Sequence, residues 1–318
     1  MVHLKIINGG KEYIPVVVGE VKWTTERAGT PGILTFEVVK DGILNFQEGN
    51  AVHLYVDQVP IFYGFVFQKK RNKGETISVT AYDQLRYLKN KDSYLFKGKT
   101  ASQFIFMVAE DFRLKTGQIA DTKYVIEKGV LDNKTLFDMF QELLDTTLTN
   151  AKKLYVLYDD FGKLTLKNIE DMKLNIILDN GSAEDFDYTS SIDGETYNQI
   201  KIAYDDEKTG IRDAYISKDS GNIEKWGVLQ YYEKAKSNVG LQQKVNALLE
   251  LYNRKTRQLS IKNAIGSPKV RAGCSIGLTL ALGDVNVNNF FICEKVIHTF
   301  QSDIHVMDLT LRGSDGFV

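Results

Sequence analysis

Glycan hydrolysis needs two carboxylates facing one cleft. Glu48, Asp83, Asp159, Asp160 and Glu294 are the candidates in this chain. Nothing in their spacing brings any two together, and each also fits a turn, a helix cap or a solvated strand face. The turn DDEKTG (205–210) resembles the start of a calcium loop, with Asp205, Glu207, Thr209 and Gly210 on its first, third, fifth and sixth positions. The twelfth position is Ile216, where such a loop needs a bidentate Glu, so a plain hairpin turn is expected.

The histidines are His3, His53, His298 and His305. None stands four residues from another and no HExxH occurs. His298 and His305 fall toward the ends of neighbouring expected strands, which makes them the one conceivable metal pair; packed histidines are the simpler reading. Cys274 and Cys293 match no zinc spacing and no disulfide framework, and read as buried free thiols. Lys69, Lys70, Arg71 and Lys73 form a basic cluster at a turn, the usual composition of a solvated tip. There is no glycine-rich phosphate loop after a strand and no Gly-x-Ser-x-Gly elbow. No catalytic, cofactor or metal residues are therefore assigned.

The elements that would position any chemistry are mostly strands. Val52, Leu54 and Val56 alternate on one face. Asp57 to Pro60 breaks the chain, and Ile61 to Phe67 is a buried run with Gly64 marking a bulge or bend. Ile77, Val79 and Ala81 alternate again, and Asp83 caps a short helix carrying Leu85 and Leu88. Upstream, Asp41-Gly42 between Leu34–Val39 and Ile43-Leu44 signals a hairpin. From about residue 93 the period turns helical. Thr100 to Gln103 is a capping box before Phe104, Met107, Val108 and Phe112. A second helix, expected from near Asn133, carries Leu136, Met139, Phe140, Leu143 and Leu144. A hairpin turns at Asp160-Phe161-Gly162. Strands return after about residue 173, interrupted by a helix with Leu241, Val245, Leu248, Leu249 and Tyr252 on one face.

The Phe46–Leu88 stretch has a faint second copy. Gly49, Val52, Leu54 and Val56 line up with Gly273, Ile276, Leu278 and Leu280, a shift of 224 residues. After a longer loop around Gly283 the shift becomes 230, pairing Ile61 with Phe291, Val66 with Val296, Ile77 with Met307, Val79 with Leu309, Thr80 with Thr310 and Ala81 with Leu311. Two β-modules of one type account for this.

Composition sets the outer limits. The chain has 318 residues, 43% hydrophobic and 25% charged, enough for two or three domains with their own cores. A net charge of −1 leaves no basic footprint for nucleic acid. No apolar run approaches the roughly 20 residues of a membrane span. The first residues lack a signal peptide, so synthesis in the cytoplasm without export by that route is expected.

The order of these segments also carries a resemblance. "IFYGFV", "ISVTAYDQLRYLKN", an aromatic-Lys-Gly-Lys-Thr-Ala-Ser helix start, "ETYNQIKIAY", "WGVLQYY", "KVRAG", "EKVIHTF" and "MDLTLRG" together resemble the baseplate hub proteins of contractile phage tails. The match is to the XkdQ-like group of prophages and phage-tail-like bacteriocins, related to the late control protein D type, and spans nearly the whole chain. The resemblance implies a mainly β chain with α+β character. Two tail-tube-like β-barrel domains, residues 1–92 and 173–318, would flank a small α/β domain, residues 93–172, with a helical insertion near 238–256. It implies a homotrimer whose six barrels ring the tail axis, in the baseplate of a particle assembled in the bacterial cytoplasm. Its partners would be the tail tube or tube initiator, the spike and other baseplate proteins, and its role would be assembly without cofactors. The competing readings are a tail-associated cell-wall hydrolase and a carbohydrate-binding tail module.

Overall fold

A computed structural model of the chain describes residues 2–71, 73–206, 210–235, 238, 240–281 and 286–313. The fold is mainly β with α+β character. Alternating apolar residues build a first module from β1 (Val2–Asn8), β2 (Lys11–Tyr13), β3 (Val17–Glu26), β4 (Ile33–Val39), β5 (Ala51–Val56), β6 (Val59–Arg71) and β7 (Thr76–Tyr82). They form an antiparallel sheet in the order β3-β4-β7-β6-β5-β1-β2. In β5, Val52, Leu54 and Val56 are buried and the residues between them are not. They join one core with residues from every strand but β2. Among the described residues, only Leu44, Phe46 and Phe300 enter this core from outside these seven strands. The sheet must therefore curl over its own apolar face, as a barrel does.

The Asp41-Gly42 hairpin does not form. The Asp41 carboxylate instead accepts the amides of Ile43 (2.9 Å) and Leu44 (2.7 Å), a local Asx-type turn. The β4 strand is left to pair with β3 and β7.

Asp83 then caps a 3₁₀ turn, Gln84–Lys89, by accepting the Leu85 amide at 3.0 Å. Next come β8 (Lys91–Thr100), α1 (Ala101–Asp111), β9 (Thr116–Ile119), β10 (Val125–Thr135), α2 (Leu136–Ala151), β11 (Tyr155–Asp159) and β12 (Leu164–Asn168). Thr100 and Gln103 make the expected reciprocal capping box. The second helix begins at Leu136 behind a Thr135 cap, a little later than Asn133, because β10 runs on to Thr135 to pair with β8.

The second module uses β13 (Lys173–Asp179) and β14 (Asp185–Ser191). An inserted unit follows, made of β15 (Gln199–Asp205), β16 (Arg212–Lys218), α3 (Ser220–Trp226), β17 (Gln230–Ala235) and α4 (Leu241–Tyr252). The module closes with β18 (Thr256–Ile265), β19 (Ser275–Ala281), β20 (Asn286–Gln301) and β21 (Ile304–Gly313). Its order is β14-β18-β21-β20-β19-β13, and every one of these strands supplies residues to, or packs against, one core. The expected helix α4 is one layer of the inserted unit: its Leu241, Val245 and Leu248 bury Ile200 and Ile202 of β15.

Strand register establishes the duplication. In the first module Ala51 faces Phe65 and Val52 faces Gly64; in the second Ser275 faces Ile292 and Ile276 faces Phe291. Ala81 faces Val66 and Thr80 faces Gln68, with Phe67 bulged out between them. Leu311 faces Cys293 and Thr310 faces Lys295, with Glu294 bulged out at the same place. The entry turn is repeated too. The amides of Gly49 and Gly273, both at positive φ, donate to the carbonyls of Val66 (2.7 Å) and Cys293 (2.8 Å). These ladders correct the alignment of the middle strand. Val66 matches Cys293, not Val296, and Gly64, not Ile61, matches Phe291. β18 matches β4 and β14 matches β3, since Leu259 faces Leu311 and Tyr188 as Leu34 faces Ala81 and Trp23. The outer strands differ: β1 runs antiparallel to β5, whereas β13 runs parallel to β19. The loop around Gly283 lies outside the described residues.

Candidate functional site

The residues with the most demanding chemistry gather where the modules meet. The first half of β20 pairs with β19, and its second half continues onto β3 of the first module, from Lys295 opposite Glu26 to Phe300 opposite Val21. The two modules thus share one hydrogen-bonded sheet. Side chains reinforce the ladder: Arg27 pairs with Glu294 at 2.8 Å, Lys295 pairs with Glu26 at 2.8 Å, and the Ala272 amide donates to Thr25 Oγ1 at 3.0 Å. Phe300 enters the first module's core.

His298 lies in this seam, fully buried, stacked on Trp23 at 4.8 Å and on Phe300 at 5.9 Å between ring centroids. Its Nε2 is 2.9 Å from the Val270 carbonyl, and its Nδ1 is 2.9 Å from His305 Nε2. A carbonyl only accepts, so Nε2 carries the proton. The lone pair on Nδ1 then accepts from His305. Burial pushes His298 down to about 3 and His305 down to about 4, so both rings are neutral at pH 7. The expected pair is therefore brought together, but its facing nitrogens are spent on each other. Among the described residues no cluster of three or more His, Cys, Asp or Glu could hold a metal ion.

Two candidate carboxylates, Asp83 and Asp159, also come close enough to interact electrostatically. Asp83 accepts the Gly32 amide at 2.8 Å, and Asp159 accepts the Gly162 amide at 2.7 Å. Burial raises Asp83 well above the usual carboxylate range, with Asp159 adding to it; burial likewise raises Asp159 to about 6. Arg271 lies over the Tyr158 ring at 4.0 Å and donates to the Asp159 carbonyl at 2.9 Å. The pair is buried at the joint of three segments, not in an open cleft. It fastens the middle segment to both modules. Of the other candidates, Glu294 is ion-paired with Arg27, and Glu48 and Asp160 are exposed. A crevice of about 1080 Å³ runs between α2 and α4 and includes Glu294 alone of the five.

The middle segment makes a second joint. Phe161, at the tip of the β11–β12 hairpin, packs into His53, Tyr55 and Tyr63 on the outer face of β5 and β6. His3 is exposed, and Cys274 and Cys293 are buried free thiols 3.7 Å apart. Asp205 pairs with Arg212 (2.5 Å) and Lys234 (2.6 Å), which hold its carboxyl far below the ordinary range. Glu207 and Thr209 of the calcium-like turn lie outside the described residues. No helix among the described residues is long and apolar enough to cross a membrane.

The geometry is that of joined modules, and the similarity to known proteins also runs over nearly the whole chain. The YqbQ-like family profile matches residues 21–312. The chain belongs to the YqbQ-like family. It is 29% identical to the uncharacterized protein YqbQ of Bacillus subtilis over 97% of this chain and 96% of that one. It is 28% identical, with the same coverage, to XkdQ of the phage-like element PBSX of the same organism. Among solved structures it resembles the 43 kDa tail protein of prophage MuSo2 from Shewanella oneidensis, with a TM-score of 0.75 at 14% identity, covering 99% of this chain and 100% of that one. It also resembles the Escherichia coli c3393 protein, a type VI secretion component described as similar to the T4 tail proteins gp27 and gp5. There the TM-score is 0.59 at 9% identity, over 99% of this chain and 77% of that one. At these identities the structural likeness is one of fold.

Proposed function

We propose that this chain is the structural hub of a contractile tail baseplate, in a phage or phage-tail-like particle. Three copies supply six similar modules to one pseudo-six-fold ring, which joins the tail tube on one side to a three-fold spike on the other. Other baseplate proteins contact the middle segment and the inserted unit. The chain is read as three parts, residues 1–92, 93–172 and 173–318, with an assembly role and no catalysis of its own. The observation that carries this reading is the repeated register, bulge and glycine turn of the two modules. A chain with two near-equivalent units can present the same surface six times from three copies, which is what a symmetry-matching adaptor requires. Kinship with XkdQ, a phage-like element protein, supports the setting.

The test is the mass and symmetry of the full-length chain, alone and with its spike partner. Three copies in a ring of six similar lobes are expected. A chain that stays monomeric in both conditions sinks the proposal, and so does release of cell-wall fragments that depends on a single carboxylate.

A further inference from the structure

The sheet edges repeat with the modules, but only one of the two equivalent seams is filled within the chain. β3 pairs with β4 on one side and with β20 on the other. Its equivalent, β14, pairs with β18 and ends the sheet. β20 carries β21 on one side, with β19 and then β3 on the other. Its equivalent, β6, carries β7 on one side and β5 on the other, where strand pairing ends at Phe65 and Val66 bonds Gly49 and Asn50. Among the described residues no strand pairs with Gln68–Arg71 along that edge, although the Lys69 side chain reaches Phe46.

We infer that β14 of one copy adds to the free β6 edge of a second copy of this chain, repeating between chains the β3–β20 seam made within each chain. Transferring the internal ladder fixes the register. Ile297 opposite Thr24 becomes Lys70 opposite Thr189, and His298 opposite Trp23 becomes Arg71 opposite Tyr188. The chemistry of the two edges fits this union and no other copy of themselves. Residues 69–73 carry four cations in five positions, whereas residues 184–195 carry Glu184, Asp185, Asp187, Asp193 and Glu195 and no Lys or Arg. Asp187 stands diagonally across from Lys70, within reach of its long side chain. Arg71 meets the Tyr188 ring where the internal seam has an aromatic stack, so a cation–π contact replaces it. Like-charge repulsion opposes β6–β6 and β14–β14 pairing, so the union is head-to-tail and propagates around a ring. This rests on the hub reading above and supplies the contact that reading leaves open.

The test is a disulfide between Lys70→Cys and Thr189→Cys in the full-length chain under mild oxidation, with each single variant as control. Directly opposed strand residues lie about 4.5–5.5 Å apart, a distance a disulfide spans. Covalent oligomers in the double variant alone are expected. Asp187→Lys should weaken self-association on the order of fivefold, and combining it with Lys70→Glu should restore it. Oligomers that form without the cross-link and ignore both charge changes overturn this edge pairing while leaving the ring intact. A chain that neither cross-links nor associates, with or without its spike, overturns both.

Discussion

Trp23 stacks on His298 with ring centroids 4.8 Å apart and planes 20° from parallel, across the seam where β3 of one module meets β20 of the other. Both side chains are buried, so the contact belongs to a core that neither module completes alone. Trp23→Ala should cost about 3–5 kcal/mol, as large aromatic truncations do, and Trp23→Phe clearly less. Denaturant unfolding of the three proteins measures both values. Equal losses in the two variants would mean that the stack contributes little.

Acid should loosen this seam. His298 is held down to about 3 when folded, against an ordinary value near 6.5. Below about pH 6.5 the unfolded chain takes up a proton that the folded one refuses, so stability is full above that pH and falls as pH drops toward 4. His305 adds to the trend, with nearby Asp57 opposing it, and Arg271 also disfavours a charged His298. A loss of about 2–3 kcal/mol between pH 6.5 and 4.5 is expected from His298. His298→Phe should be less stable throughout but flatter across that window in urea midpoints. An unchanged slope would contradict the assignment.

Asp159 should act in the opposite direction. Its folded value of about 6 lies above the ordinary one, so stability is lost as pH rises through about 4 to 6 and stays low above. One of its oxygens, Oδ2, is buried with no hydrogen-bond partner among the described residues. Asp159→Asn keeps the Oδ1 that accepts from Gly162 and removes the burden of a buried charge. The variant should be about 1–2 kcal/mol more stable at pH 7.5, with the gain vanishing toward pH 4. A loss of stability at pH 7.5 would show that the Arg271 contact outweighs burial.

The paired glycines should part company. Gly49 and Gly273 both sit at positive φ, and a side chain at either is strained. A Cβ at Gly49 meets nothing, but at Gly273 it collides with the Val156 side chain. Gly49→Ala should cost about 1–2 kcal/mol and Gly273→Ala more. Thermal melts of the two variants decide this, and equal shifts would mean that Val156 moves aside freely.

Much of this was legible in the sequence because alternation survives without a structure. Val52, Leu54 and Val56 announce β5, and Ile276, Leu278 and Leu280 announce β19. The middle strand misled by three residues for a physical reason. Ile61–Phe67, broken only by Gly64, and Phe290–Cys293 are apolar runs that hold no alternation to fix register, and each strand hides a bulged residue. β14 was unreadable because an edge strand such as DFDYTSS buries little. The Asp83–Asp159 pair joins distant parts of the chain and needed the fold. Asp41-Gly42 had the residues of a hairpin but not the pairing, because β4 has better partners elsewhere.

The shared strand sets an order of events during synthesis. The first module is contiguous, residues 2–82, so most of its core is synthesised early. The outer edge of β3 must wait for Lys295 to Phe300, which are made long after the strand itself. At about 5–20 residues per second that wait lasts on the order of 10–50 s. A bare strand edge is an invitation to mispair, and charge is the usual guard against it. Glu20, Lys22 and Glu26 stand along β3, Glu20 and Lys22 as an ion pair at 2.7 Å. These residues hold the place open for a partner from the other end of the chain.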